Sequence, residues 1–124
     1  MSGARSARGA AARLSGRRSE VVAAVWLMLK GYRILGFRLR TRIAEIDLLA
    51  LRGRTLAVVE VKRRANLADA LETVTLDQRD RLRRAGALVA AGRPALKDAT
   101  VRLDLVALAP RRLPVHIPDA WKGA

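Results

Sequence analysis

Two short runs of this chain, Ile43-Ala44-Glu45-Ile46-Asp47 and Val58-Val59-Glu60-Val61-Lys62, put three carboxylates and a lysine inside strand-like apolar sequence. Charged residues are usually excluded from such runs. Side chains alternate across a strand, so Glu45 and Asp47 share one face, and Glu60 and Lys62 share one face of the next strand. If the two strands pair as neighbours, acids and ammonium converge on one patch. That patch suits metal-assisted hydrolysis of a phosphodiester. A divalent cation polarises the phosphoryl oxygen and lowers the pKa of an attacking water. Mg²⁺ takes one or two carboxylates and completes its shell with waters and phosphate oxygens. Asp47 and Glu60 can supply the two carboxylates, with the Val61 carbonyl available between Glu60 and Lys62. Lys62 can reach the water or the scissile phosphate and stabilise the negative charge that develops. Without a cation, clustered acids raise one another's pKa values. The competing reading is an edge strand with alternating charge on its solvent face, which discourages aggregation. Glu45 is open between a further ligand and an arginine's partner. Asp104, close to Arg102, reads as structural, and His116, the single histidine, lies in the tail and reads as outside the chemistry.

The elements that must position these residues follow from periodicity. From Gly16 to Lys30, Val21, Ala24, Val25, Met28 and Leu29 keep helical spacing, and Gly31 supplies a stop. Glu20 sits on the flank of Ala23, Ala24 and Leu27, pointing inward near the helix start. Residues 32–40 read as a strand with Arg33, Leu35, Phe37 and Leu39 on one face. Residues 43–51 and 55–62 form two further strands around the tight turn Arg52-Gly53-Arg54, an antiparallel hairpin. A polar connection (63–68) leads to helix over about 69–91, broken near Thr73–Leu76, with Leu82, Ala85, Leu88 and Val89 facing in and Gly92-Arg93-Pro94 closing it. A fourth strand runs over about 100–108. The tail from Pro110, with Leu113, Val115, Ile117 and Trp121, is expected to pack as a cover without extending the sheet far. Helix, three-stranded meander, helix and strand define a small α/β domain with a mixed sheet flanked by helices.

Composition narrows the functional classes. The chain has 124 residues, enough for one domain with a real core. Apolar residues make up 51% and aromatics 3%, so the core is Val, Leu, Ile and Ala. Lys+Arg 25 against Asp+Glu 11 gives a net charge of +14, which draws the chain to polyanions, nucleic acid first and an anionic membrane surface second. Residues 1–15 are Ala, Gly, Ser and Arg for the most part and are expected to form a disordered basic arm, followed by a domain over 16–124. The absence of cysteine removes disulfides, thiolate zinc and thiol catalysis, and fits a cytoplasmic location. The longest apolar run, Val21–Leu29, is too short to span a bilayer, and the arm lacks the order of a secretory signal. Few aromatics leave little for base stacking, which argues against a dedicated single-strand binder.

Order and spacing of several motifs resemble a known family. These are Gly16-Arg17-Arg18-Ser19-Glu20, Gly31-Tyr32-Arg33-Ile34-Leu35, Ala44-Glu45-Ile46-Asp47-Leu48, Val58-Val59-Glu60-Val61-Lys62, Val74-Thr75 with Arg81-Leu82, Arg102-Leu103-Asp104-Leu105-Val106, and His116-Ile117-Pro118-Asp119-Ala120-Trp121. The chain looks like the YraN-like family, small bacterial proteins predicted to be endonucleases of the PD-(D/E)xK, restriction-endonuclease-like superfamily and related in fold to archaeal Holliday junction resolvases. The resemblance implies an α-β-β-β-α-β core, Asp47 and Glu60 as Mg²⁺ or Mn²⁺ ligands, and Lys62 as the catalytic lysine. It further implies Glu20 as an accessory acid reaching the site from the first helix, and Gln78 at a position often held by lysine, able to hydrogen-bond water or phosphate. Ala44 stands where the family usually has glycine, and Trp121 where it has phenylalanine. The implied activity is metal-dependent cleavage of structured or branched DNA, gripped by its backbone without sequence reading. Cutting opposed strands would require a symmetric pair of chains, a homodimer. The alternatives are a non-catalytic nucleic-acid-binding protein and an accessory module of recombination or repair machinery.

Overall fold

The computed structural model describes residues 17–122, so the basic arm expected over 1–15 lies outside the described residues. Helix α1 occupies residues 17–29. It is followed by β1 (Arg33–Arg40), β2 (Glu45–Arg52), β3 (Thr55–Arg63), α2 (Leu67–Thr73), α3 (Leu76–Gly92), a 3₁₀ turn (Pro94–Leu96), β4 (Thr100–Leu108) and β5 (Val115–Ile117). The five strands form one sheet in chain order, β1-β2-β3-β4-β5. All neighbours are antiparallel except β3 and β4, which are parallel and joined across the sheet by α2 and α3. The expected mixed α/β core is present.

The hairpin that carries the acids forms for a local reason. Arg52 pairs with Thr55 across a two-residue turn, and Gly53 takes φ +59°, a backbone conformation open to glycine at little cost. The turn fixes the register, Leu48 opposite Val59 and Leu49 opposite Val58. Consecutive residues of β3 and β4 then feed two cores. Leu49, Val58, Leu103 and Leu105 pack under α2 and α3, whereas Leu48, Ala57, Val59 and Val106 pack under α1. Burial on both faces is what a parallel central pair requires. The helix break falls at Val74-Thr75, where Thr75 caps α3 through a reciprocal box with Gln78.

Three expectations are corrected. Of the periodic apolar set of α1, Ala24 faces in, on the expected flank of Ala23 and Leu27, but the larger members do not. Val21, Val25, Met28 and Leu29 are exposed, while Ala23, Ala24 and Leu27 are buried. Small residues win because they let α1 sit close on Ala50 and Ala57. On β1 the simple alternation fails, since the register slips between Ile34 and Gly36 and Arg38 takes φ +47°. A bulge re-aims side chains, so Leu35 and Leu39 reach the core under α3 and Phe37 stays half-exposed beside Val21. In the tail, Trp121 is buried, donating its indole N–H to the Leu71 carbonyl at 3.1 Å, but Leu113 is exposed. The three-residue strand β5 extends the sheet only a little, as expected.

Gly86 marks where α3 approaches the sheet most closely. A Cβ there would lie 2.5 Å from Val58 Cγ2 and 2.8 Å from Val101 Cγ1. Val58 is fully buried and cannot swing away. Gly86→Ala should therefore lower stability by about 1–3 kcal/mol in denaturant titration, although alanine is the better helix former by about 1 kcal/mol.

Candidate active site

Asp47 of β2 and Glu60 of β3 continue the register Leu48–Val59, their carboxyl groups within hydrogen-bond reach, and Glu60 faces Gln78, Arg81 and Leu82 of α3. The Val61 amide donates to Asp47 Oδ2 at 3.0 Å, fixing the carboxylate across the strand pair. Lys62 Nζ lies 3.4 Å from Glu60 Oε2 on the same face. The three residues singled out from the sequence are thus brought together, with the Val61 backbone between them. Val61 adds a role the sequence did not suggest, since its N–H holds a candidate ligand in place.

Glu60 is 7% exposed. Its burial, then the negative charge of Asp47 and the hydrogen bond to it, push the carboxyl up to about 8, with Lys62 pulling in the opposite direction. Near neutral pH Glu60 therefore carries a proton that it shares with Asp47. A pair of acids that stays ionised only at a cost is a donor set that a divalent cation relieves. Two carboxylates match the protein share that Mg²⁺ prefers. No group of three or more metal-ligating side chains occurs among the described residues.

A cavity of about 170 Å³ opens at Glu60, lined also by Ala44, Glu45, Gln78, Arg81 and Leu82, while Asp47 lies behind Glu60 outside the lining. Glu45 pairs with an arginine, the second of the readings offered for it. It lines the cavity, and its Oε2 lies 3.7 Å from Arg40 Nε in an exposed pair. Gln78 also lines the cavity, but its Oε1 accepts from the Thr75 backbone N–H at 3.0 Å, so its amide NH₂ is what it can offer a ligand. Arg81, one turn along α3 from Gln78, was not anticipated. It brings a cation to the cavity while held by Asp77 at 3.0 Å, and the spacing of three from Gln78 was the signal for it. Ala44 has an ordinary negative-φ backbone, so the glycine usual there is not needed for conformation. Thr41 orders the loop before it, with its Oγ1 accepting from the Ile43 and Ala44 amides at 3.1 and 3.0 Å.

Glu20 does not line this cavity. It points inward from α1, and both of its carboxylate oxygens accept from Arg38 Nε, at 2.9 and 3.0 Å, beside a separate cavity with Arg17, Val21 and Phe37. Arg38 falls between the registered pairs Phe37–Leu48 and Leu39–Ile46, opposite Asp47. Its left-handed backbone costs about 1–2 kcal/mol for a residue with a Cβ.

Asp104 is structural, as its neighbourhood suggested. Fully buried under α1, it accepts two bonds from Arg102, at 2.8 Å each, one from the Asp119 amide at 3.0 Å and one from His116 Nε2 at 2.9 Å. Burial by itself would raise its pKa, but the bonds from His116, Arg102 and the Asp119 amide outweigh this and hold it below the ordinary value. Lys30 donates to His116 Nδ1 at 2.7 Å, which assigns the Nε2–H tautomer. His116 is part of the scaffold.

The fold and site define a small α/β protein with a five-stranded mixed sheet and a buried carboxylate pair beside a lysine. The sequence profile of the uncharacterised protein family UPF0102 matches residues 19–108. A UPF0102 protein of Caulobacter sp. (strain K31) is 70% identical over 93% of this chain and 83% of its own. Another, of Caulobacter vibrioides (strain NA1000 / CB15N), is 63% identical over 98% of both chains. One of Paramagnetospirillum magneticum is 49% identical over 90% of each. The chain belongs to the UPF0102 family. No helix of its described residues is long and apolar enough to cross a membrane.

Two outcomes follow. The folded pKa of Glu60 exceeds its unfolded value, so the folded state binds this proton more tightly and stability falls as pH rises from 4.5 towards about 8. Glu60→Gln should remove that fall, leaving the variant more stable than wild type at pH 8 by on the order of a few kcal/mol in denaturant titration. Asp104→Ala should cost about 3–5 kcal/mol in the same measurement, because it strips partners from a buried ionic cluster.

Proposed function

We propose that this UPF0102 protein is a metal-dependent endonuclease that hydrolyses phosphodiester bonds of structured or branched DNA, largely without regard to sequence. The observation that carries the reading is the convergence of Asp47, Glu60 and Lys62 on one side of the β2–β3 hairpin. It is consistent with the PD-(D/E)xK resemblance of the sequence, and the net charge of +14 supports a polyanionic substrate.

Asp47 and Glu60, with the Val61 carbonyl, would hold Mg²⁺ or Mn²⁺. When bound, the ion supplies Lewis-acid polarisation of the phosphoryl oxygen and a more acidic water. The residues of the chain do the rest. Glu60 would hold the ion as the carboxylate, so occupancy should fall with falling pH. Val61 N–H keeps Asp47 oriented, and the Lys62 ammonium sits where negative charge on the phosphate develops. Arg81 and the Gln78 amide give the cavity donors for phosphate oxygens. Cleavage of both strands at a branch takes two such sites, hence a pair of chains.

The test is nicking of branched and linear DNA with Mn²⁺ or Mg²⁺. Asp47→Ala and Lys62→Ala should each reduce cleavage at least about a hundredfold, and EDTA should abolish it. Cleavage that persists equally in both variants sinks the assignment. If wild type binds with a steep salt dependence yet cuts nothing, the protein is a non-catalytic nucleic-acid binder.

A further inference from the structure

Four arginines, Arg18, Arg63, Arg111 and Arg112, line a cavity of about 310 Å³ at the end of the sheet where β3 and β4 stop, and no acidic side chain shares the lining. All four are exposed, and they arrive from three places: the start of α1, the last residue of β3 and the turn after β4. Some exposed arginines elsewhere stand beside acids, as in Arg81–Asp77, Arg84–Asp80 and Arg40–Glu45. Guanidinium groups remain charged at any working pH, so the lining concentrates positive charge that favours an anion. Their planar forks suit phosphate oxygens.

The backbone adds a second observation. Arg111 has φ +60°, left-handed geometry that favours glycine, yet a long cationic side chain occupies it. The place of the cleft adds a third. Lys62 and Arg63 are consecutive on β3 and alternate faces. Lys62 stands beside Glu60 under α3, while Arg63 lines the cleft next to Arg18 and Val22 of α1. The end of one strand therefore carries a cation on each side of the sheet, with Cα atoms about 3.8 Å apart.

We propose that this cleft is a second phosphate site, which grips the backbone of a nucleic-acid strand flanking the phosphate presented to Glu60 and Lys62. It sets the direction in which that strand leaves. Its lining holds no aromatic side chain, so it takes phosphates and not stacked bases. The proposal rests on the nucleic-acid reading above but not on catalysis.

Binding of labelled branched and linear duplexes in EDTA, titrated with salt, tests it on the full chain. Arg111→Ala/Arg112→Ala should bind about tenfold more weakly near 0.1 M salt, uniformly across sequences, with a salt slope shallower by about 2. Arg54→Ala/Arg93→Ala, the same charge loss in the β2–β3 turn and after α3, should change the slope by less than half as much. Arg111→Gly should weaken binding while its melting temperature stays level or rises, which separates binding from folding. Equal losses in the two double variants overturn the site, since bulk charge then explains them. So does unchanged DNA binding, or a loss confined to phosphatidylglycerol vesicles. If the cleft variants lose binding but wild type cuts no DNA, the cleft stands and the nuclease assignment fails. If wild type cuts and the cleft variants bind normally, the cleft alone fails.

Discussion

Two carboxyl groups forced to face each other across neighbouring strands are the constraint around which this protein is arranged. The Gly53 turn sets the hairpin register, and the register places Asp47 against Glu60. A slip of one residue would send Asp47 to the α1 face and dissolve the pair. Because Glu60 is buried, water cannot screen the repulsion, and three features relieve it: the retained proton, the Lys62 ammonium and the Val61 amide. The residual imbalance is what the proposed cation would relieve.

Asp104 shows the opposite solution to the same problem. It is as deeply buried, but Arg102, His116 and the Asp119 amide satisfy it completely and hold its pKa down. The result is an inert clamp that pins β5 and the tail to β4, with Lys30 and Tyr32 joining from the end of α1. A fully compensated charge stabilises a scaffold, whereas a partly compensated one remains open to a ligand. The two lie on opposite faces of one sheet, so the clamp holds the layer without intruding on the cavity. On α3, Arg81 and Arg84 pair with acids one turn away, and four arginines gather at the ends of β3 and β4.

Much of this was legible in the residues. The hairpin, the helix break before Leu76, the shared face of Glu60 and Lys62 and the structural part of Asp104 all follow from local rules of alternation, turn chemistry and capping. Elsewhere the local rules competed with close approach. Apolar spacing in α1 favoured Val21, Val25 and Met28, yet the alanine face won because it fits the sheet more tightly. Nothing in the run Arg33–Arg40 announced the bulge that turns Phe37 outward, nor that Glu20 would be taken by Arg38. Gly86 looked like an ordinary helix residue until Val58 and Val101 were seen against it.

The sequence by itself determined which chemistry was possible, because carboxylates and a lysine inside β-forming runs have a period that assigns their faces before any folding is known. It also determined that a hairpin forms around Gly53, whereas the turn of two residues, in place of the expected Arg52-Gly53-Arg54, and the register it sets came from the structure. Only the tertiary structure decided which helix face is buried, which arginines gather at the strand ends, and which acid reaches the cavity. Those outcomes depend on contacts between segments far apart in the chain, where fit and charge balance are settled by neighbours that local periodicity does not see.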